Sequence, residues 1–166
     1  MTRDDIAAEL RAVLRGMARS VVVVTARSGG ERYAMTATAV CEVSMDPPSM
    51  LFCVNRDATM FPVLDDGADL TLNVLGHPHG DVSQACGGGR RGADRFAVGD
   101  WDAHDGPHPP ALRDAAAVIR LRQASHLDHG THRIIVGDVI EVVRPAGIDP
   151  LVYVGGRYVA LDDTRD

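Results

Sequence analysis

The apolar positions of this chain keep two different periods, and the change between them marks out its elements. From Asp4 to Ala18, residues Ile6, Leu10, Val13, Leu14 and Met17 recur at helical spacing, which predicts one amphipathic helix. Ser20 to Ala26 then runs SVVVVTA, β-branched and without alternation, the pattern of a strand buried on both faces. Ser28-Gly29-Gly30-Glu31 is a turn signal, so Arg32 to Val40 is expected to return as the hairpin partner. Met50 to Val54 reads as a buried strand, Ala58 to Asp65 as a short helix, and Leu70 to Leu75 as a strand. The stretch from Gly76 to Pro110 breaks the pattern. Rich in Gly, Pro, His and Asp, with one short helical candidate near Asp81 to Ala85, it reads as a functional excursion and not a second domain. Three β segments follow: Ala117 to Ser125, Thr131 to Arg144, and Leu151 to Leu161 with a tight Gly155-Gly156 turn.

Many short strands with two or three helices predict a mainly β fold, a closed antiparallel barrel with helices packed outside. A doubly wound sheet would need regular strand–helix alternation, which is missing. The length of 166 residues fits a single domain over 1–166. Aromatic residues make up only 4%, so the core has to be built from Val, Leu, Ile and Ala. No apolar run approaches the ~20 residues that span a bilayer, so no membrane partner is expected. The charged N-terminal segment has no apolar signal core, and Cys41, Cys53 and Cys86 are odd in number and without CxxC spacing. Both features point to reduced thiols in the cytoplasm.

Charge narrows the chemistry. The net charge is −6 and the basic residues are scattered, which argues against a nucleic-acid partner. All 17 basic residues are Arg, so Schiff-base chemistry and a P-loop lysine are excluded. An anion bound here has to be held by Arg, hydroxyls and backbone amides. His77-x-His79 and the group His126, His129, His132 are the histidine clusters, and no Cys or carboxylate completes metal-ligand spacing around them; no metal is expected. Gly87-Gly88-Gly89-Arg90-Arg91-Gly92 lacks the P-loop ending and reads as a flexible basic loop suited to steering anionic nucleotides.

The densest chemistry lies between Ala34 and Thr59. Small and hydroxyl residues let a backbone approach a flat ligand closely, and the polar Asn55-Arg56-Asp57 follows an apolar strand. Ala34-Met35-Thr36-Ala37-Thr38-Ala39, Ser44-Met45-Asp46-Pro47-Pro48 and Asn55-Arg56-Asp57-Ala58-Thr59 together resemble the signature of the short-chain flavin reductases, the NAD(P)H-dependent partners of two-component monooxygenases. Ala34 stands where Gly is usual, Ala39 where Ser is common, and Met60 where Thr is common. Later landmarks keep the family's order: Asp94-Arg95-Phe96 followed by Trp101, His129-Gly130-Thr131-His132, and Pro150 to Tyr153 with Arg157-Tyr158. The resemblance covers about Leu10 to Leu161.

The resemblance implies a split β-barrel that binds FMN or FAD and uses NADH or NADPH as hydride donor. It assigns Met35, Thr36, Ala37, Thr38, Ala39, Cys41, Asn55, Arg56, Asp57, Thr59, Arg95 and Phe96 to the flavin, with Arg56 expected on its phosphate. His132 would orient the nicotinamide over the flavin ring, beside Tyr153 and Tyr158, and hydride transfer needs no general base. A homodimer and a separate flavin-dependent monooxygenase receiving reduced flavin are further implications. The residues leave other readings open: Phe96 and Trp101 as loop anchors, His132 as a strand-start histidine bonding a loop, and a flavin carrier without NAD(P)H chemistry on the same barrel. Gly87-x-Gly89-x-x-Gly92 has the letters of the dinucleotide fingerprint but no strand directly before it, so it is not read as a Rossmann motif and the dinucleotide has no domain of its own.

Overall fold

The structure is a computed structural model that describes residues 1–65, 68–102, 106–144 and 149–161. Helix α1 (Arg3–Arg15) starts at a capping box, in which the Thr2 hydroxyl accepts the Asp5 N–H and the Asp5 carboxylate accepts the Thr2 N–H. The short strand β1 (Arg19–Ser20) leads into β2 (Val22–Ser28), which turns through Gly29-Gly30 into β3 (Glu31–Ala37). After β4 (Val40–Met45) and β5 (Pro48–Asn55) come α2 (Phe61–Asp65) and β6 (Leu70–Val74). The chain ends in the long ribbon β7 (Ala117–His129) and β8 (His132–Val143), then the small hairpin β9 (Val152–Val154) and β10 (Arg157–Val159). Among the described residues, no helix is long and apolar enough to cross a membrane.

Seven strands form one antiparallel sheet in the order β3-β2-β6-β7-β8-β5-β4. The first and last strands of that order are consecutive in the chain, joined only by Thr38 and Ala39. Two residues reach no further than about 10 Å between the flanking Cα atoms, so the sheet must roll until its two edges nearly meet. Bulges in the β7–β8 pair between Arg120 and Leu121 and between Gln123 and Ser125 bend the ribbon where the roll needs it. Gly137 serves the same bend, because a Cβ there would lie 3.0 Å from the Leu121 side chain. Closure is incomplete. Cys53 donates its N–H to the Ala39 carbonyl at 3.0 Å, yet β3 itself has no ladder to β4 or β5. The expected closed barrel is therefore corrected to a split one, open along the outer edge of β3.

Both faces of β2 are buried, as its unbroken apolar run requires. Val22, Val24 and Ala26 point into the rolled sheet with Phe52, Leu72, Leu121 and Ile135. Val21 and Val23 point outward, beneath Leu75, Val82, Phe96, Trp101 and Leu112 of the 76–112 excursion. That excursion is not bare loop. It contains the short helix α3 (Gly80–Gln84), a wide turn over Ala85–Gly89 and a 3₁₀ turn over Gly92–Ala97; positions 103–105 lie outside the described residues. A second sheet, β1-β9-β10, docks through three bonds at one point. Val21 donates to the Leu151 carbonyl, Leu151 to Leu75, and Leu75 to Val21.

Three boundaries differ from expectation. Cys41 to Met45 forms its own edge strand, because the chain turns at Thr38-Ala39 to cross the seam. β7 runs on to His129, its polar end held by pairing with β8 and not by burial. The apolar stripe of α1 is uncovered: Leu10 is 53% and Val13 63% exposed.

The excursion is tied down by buried polar groups. The Pro109 and Pro110 carbonyls have no N–H beside them and accept from side chains of the sheet. Thr71 Oγ1 donates to Pro109 at 3.1 Å and Thr25 Oγ1 to Pro110 at 2.5 Å. Asn73 completes the strap by accepting the Leu112 N–H at 2.7 Å while its amide donates to the Val23 carbonyl at 3.1 Å. Asn73→Ala orphans the buried Leu112 N–H, so the stability measured by urea denaturation should fall by about 1–3 kcal/mol. A change within experimental error would mean that the strap is not held by Asn73.

Candidate functional site

The open edge of β3 is the floor of a cleft. Ala34 sends its carbonyl outward, where it accepts a bond from Arg95 Nη1. In an antiparallel strand both backbone polar groups of a residue point the same way and alternate along the chain. Thr36 therefore also directs its N–H and carbonyl away from β2, into the seam. Its hydroxyl donates to the Ser83 carbonyl at 2.7 Å, which fixes the excursion at a set distance above the strand. The cleft so formed has a volume of about 360 Å³. Met35 to Ala39 line it from β3 and the link after it, Cys53, Asn55, Ala58 and Thr59 from β5 and the turn that follows, and Cys86, Gly87 and Gly88 form a third wall from the excursion, with Arg95 and His132 also in the lining. Gly88 has φ +117°, a conformation that a side chain would strain.

Arg95 is the cationic end of this cleft. Its Nε donates to the Arg90 carbonyl at 3.0 Å and its Nη1 lies 3.3 Å from Thr59 Oγ1. The charge continues into a smaller recess of about 140 Å³ lined by Glu31, Arg32, Tyr33, Ala34, Thr59, Gly92 and Arg95. At the far end, His132 and Asn55 are cross-strand partners of β8 and β5, and His132 Nδ1 lies 2.9 Å from Thr131 Oγ1. The thiols in the wall are uncharged at neutral pH. Burial pushes Cys86 up to about 11 and raises Cys53 as well, with the neighbouring Cys41 adding to the latter.

A second cleft of about 530 Å³ opens from the first and shares Thr36, Thr38 and Gly87 with it. Tyr153 and Tyr158 face each other across the β9–β10 hairpin with ring centroids 5.5 Å apart, and both line this cleft. Tyr158 donates its hydroxyl to Ser83 Oγ at 2.8 Å. Ser83 thus ties the hairpin, the excursion and β3 together.

Of the residues singled out in the sequence, the structure brings Met35, Thr36, Ala37, Thr38, Ala39, Asn55, Thr59, Arg95 and His132 into one cleft. Tyr153 and Tyr158 line the adjoining cleft, and four others stand outside both. Cys41 is exposed on β4. Asp57 donates its N–H to Asn55 Oδ1 at 2.9 Å, closing a turn. Phe96 is 8% exposed and packs edge-on against Trp101 at 5.1 Å, under the Arg32 guanidinium; it anchors the loop. Arg56 lies outside the cleft as well. Its guanidinium pairs with Asp128 at 3.1 Å at the tip of the ribbon and does not line the cleft. Cys53, Ala58 and Cys86 were not anticipated. The signal for the third wall was the triple glycine Gly87-Gly88-Gly89.

Comparisons with known proteins agree with this geometry. The model of the flavin reductase like domain matches residues 14–162. The chain is 34% identical over 148 residues to the FMN reductase (NADH) RutF of Pseudomonas syringae pv. syringae, covering 89% of this chain and 83% of the relative. It is also 34% identical over 151 residues to the reductase component of a 4-nitrophenol 4-monooxygenase/4-nitrocatechol 2-monooxygenase from Rhodococcus opacus, covering 91% and 79%. Among solved structures, the NADH:FAD oxidoreductase SgcE6 of Streptomyces globisporus, in complex with NAD and FAD fragments, superimposes with a TM-score of 0.89 at 25% identity, covering 100% of this chain and 99% of that one. A mainly β split barrel with a cleft along its seam defines the class. Within it, this chain belongs to the flavin reductase like domain family.

Asp128 joins the ribbon tip to the cleft's rim. Arg133 holds it through bonds of 2.6 and 3.0 Å, and Arg56 approaches from β5. The Arg133 hydrogen bond above all, helped by the charges of Arg133, Arg56 and His126, lowers the Asp128 carboxyl below its ordinary 3.8. A carboxylate whose folded-state value is lowered stabilises the fold fully above 3.8, and this contribution is lost as the pH falls through the folded value. Asp128→Asn should therefore melt below the parent at neutral pH, with the gap closing as the pH drops below that range. A gap in melting temperature that stays constant with pH would contradict this role.

Proposed function

We propose that this protein oxidises NADH or NADPH and passes the hydride to FMN or FAD, and that the reduced flavin serves a separate flavin-dependent monooxygenase. The observation that carries this reading is the outward edge of β3 at Thr36 and the Thr38-Ala39 link beyond it, set among small residues with Arg95 and Thr59 beside them. A flavin ring presents carbonyl oxygens and ring nitrogens along one edge, and unpaired backbone groups beside Ala37 and Ala39 suit that set. When bound, the flavin supplies a two-electron acceptor that no side chain offers.

The chain's own residues then have distinct tasks. Arg95 and Thr59 hold the flavin phosphate through charge-assisted bonds, the part first expected of Arg56. His132 and Asn55 orient the nicotinamide from the opposite end, and Tyr153 and Tyr158 wall the adjoining cleft for the rest of the dinucleotide. The neutral thiols of Cys53 and Cys86 offer a soft wall without a thiolate beside the ring. The working unit is a homodimer of single-domain subunits in the cytoplasm. Exposed Val43, Met45, Ile140 and Val142 support the first point, and three free thiols the second.

Steady-state oxidation of NADH and NADPH with FMN and FAD in all four pairings tests the activity. Turnover that depends on added flavin is expected; bound flavin without nicotinamide oxidation would make the protein a carrier. Arg95→Gln should weaken flavin binding about 10- to 100-fold, the loss of one charged hydrogen bond, whereas Arg56→Ala should change it less than about three-fold. The reverse order in a flavin titration would return the phosphate to Arg56.

His132→Ala should slow flavin reduction in rapid mixing while flavin affinity stays within a few-fold, because a lost orienting contact costs mainly proximity. An unaltered reduction rate at saturating NADH would remove His132 from the reaction.

A further inference from the structure

The groove does not end at the tyrosines. A recess of about 260 Å³ continues from the second cleft, sharing Tyr153 with it and Thr38 with both clefts. Its lining is unusual for a chain of net charge −6: Arg11, Arg15 and Arg19 surround it, with Leu14 and Met17 supplying an apolar side. Among the described residues, no carboxylate forms an ion pair with any of the three guanidinium groups. Unpaired arginines converging on one concavity are a site for an anion, since their charges repel one another until something neutralises them.

The recess is also built to hold its shape. The last turn of α1 is fixed to the β9–β10 hairpin by the Gly155 N–H, which donates to the Arg15 carbonyl at 2.8 Å. The Arg15 guanidinium lies against Gly156, where a Cβ would stand 2.5 Å from Nη2; Gly156 also has φ +84°. Only glycine gives Arg15 this position. Arg19 reaches the recess from β1, whose backbone pairs Arg19 with Tyr153 itself. The C-terminal end of a helix is weakly repulsive to an anion, and three full charges outweigh it.

We infer that this recess receives the phosphoryl groups of the nicotinamide dinucleotide, with Arg11, Arg15 and Arg19 as their ligands and Tyr153 as the flat wall beside them. The inference rests on the function proposed above and extends it. The nicotinamide lies at His132, the chain of the dinucleotide follows the shared Thr36–Thr38 wall, and its anionic part ends at α1. Two phosphoryl sources have this chemistry, the pyrophosphate common to both dinucleotides and the 2′-phosphate of NADPH.

Calorimetric titration of the flavin-free protein with ADP-ribose and with 2′-phospho-ADP-ribose tests it, using the parent and the variants Arg11→Gln, Arg15→Gln and Arg19→Gln. Each variant is expected to bind about 10- to 100-fold more weakly, the worth of one charged hydrogen bond. Equal loss for both probes assigns the arginines to the pyrophosphate, and loss confined to the second probe assigns them to the 2′-phosphate. Flavin affinity within about two-fold of the parent shows that the variants are folded. A parent that binds neither probe, or variants that bind both as the parent does, would overturn the inference. Steady-state kinetics separates this from the wider reading: a parent that oxidises neither dinucleotide fails the function, while arginine-dependent probe binding still decides the recess.

Discussion

Two residues, Thr38 and Ala39, join the first and last strands of a seven-stranded sheet, and most of the molecule follows from that short link. Such a sheet cannot lie flat. It rolls, and because the link runs from one edge to the other it also occupies the place where the final ladder would form. β3 is left with backbone groups that no strand satisfies. An unpaired strand edge in a folded protein is a liability unless something covers it. Here the excursion between β6 and β7 covers part of it, through the Thr36 hydroxyl on Ser83 and the Arg95 guanidinium on Ala34, and leaves the rest as the floor of the cleft.

The same economy of polar groups recurs further along the same outer face of the sheet. Thr25, Thr71 and Asn73 are fully buried on strands whose neighbours are Val and Leu, which would be costly without partners. Their partners are backbone groups of the Pro109–Leu112 segment, two of them proline carbonyls. The excursion is thus clamped at both ends by side-chain bonds to the sheet. Between the clamps Phe96 and Trp101 fill the space below it. The rigidity of the third wall of the cleft comes from this double attachment.

What the sequence made legible were features with a local cause. The run SVVVVTA meant burial on both faces, and the Gly29-Gly30 turn meant a hairpin; β2 and β3 lie where those signals put them. The residues of Met35 to Ala39 line the cleft, as their local run of small and hydroxyl side chains suggested. Features set by distant partners were not legible. Arg56 looked free beside Asn55, and only folding brings Asp128 to it from the ribbon tip. Arg95 was assigned to the flavin by the resemblance, but the bonds to Ala34 and Thr59 that position it come from distant strands and loops. Cys41 to Met45 escaped notice as a strand because its residues are largely exposed on both faces, so no alternation marks them. The arginines at α1 are spread over the end of a helix and a two-residue strand, and only the tertiary fold makes them one recess.

The central claim is that the free edge of β3 is the ligand-binding surface. Amide hydrogen exchange with and without FMN tests it most directly, because exchange reports the very backbone groups involved. Protection should appear on FMN addition at the Thr36, Thr38 and Ala39 amides, while the Ala37 amide, paired to β2, the Cys53 amide, bonded to Ala39, and the buried Val22–Ala26 amides should not change. Binding of FMN with no added protection along Thr36 to Ala39, or with protection confined to the β7–β8 ribbon tip, would contradict it.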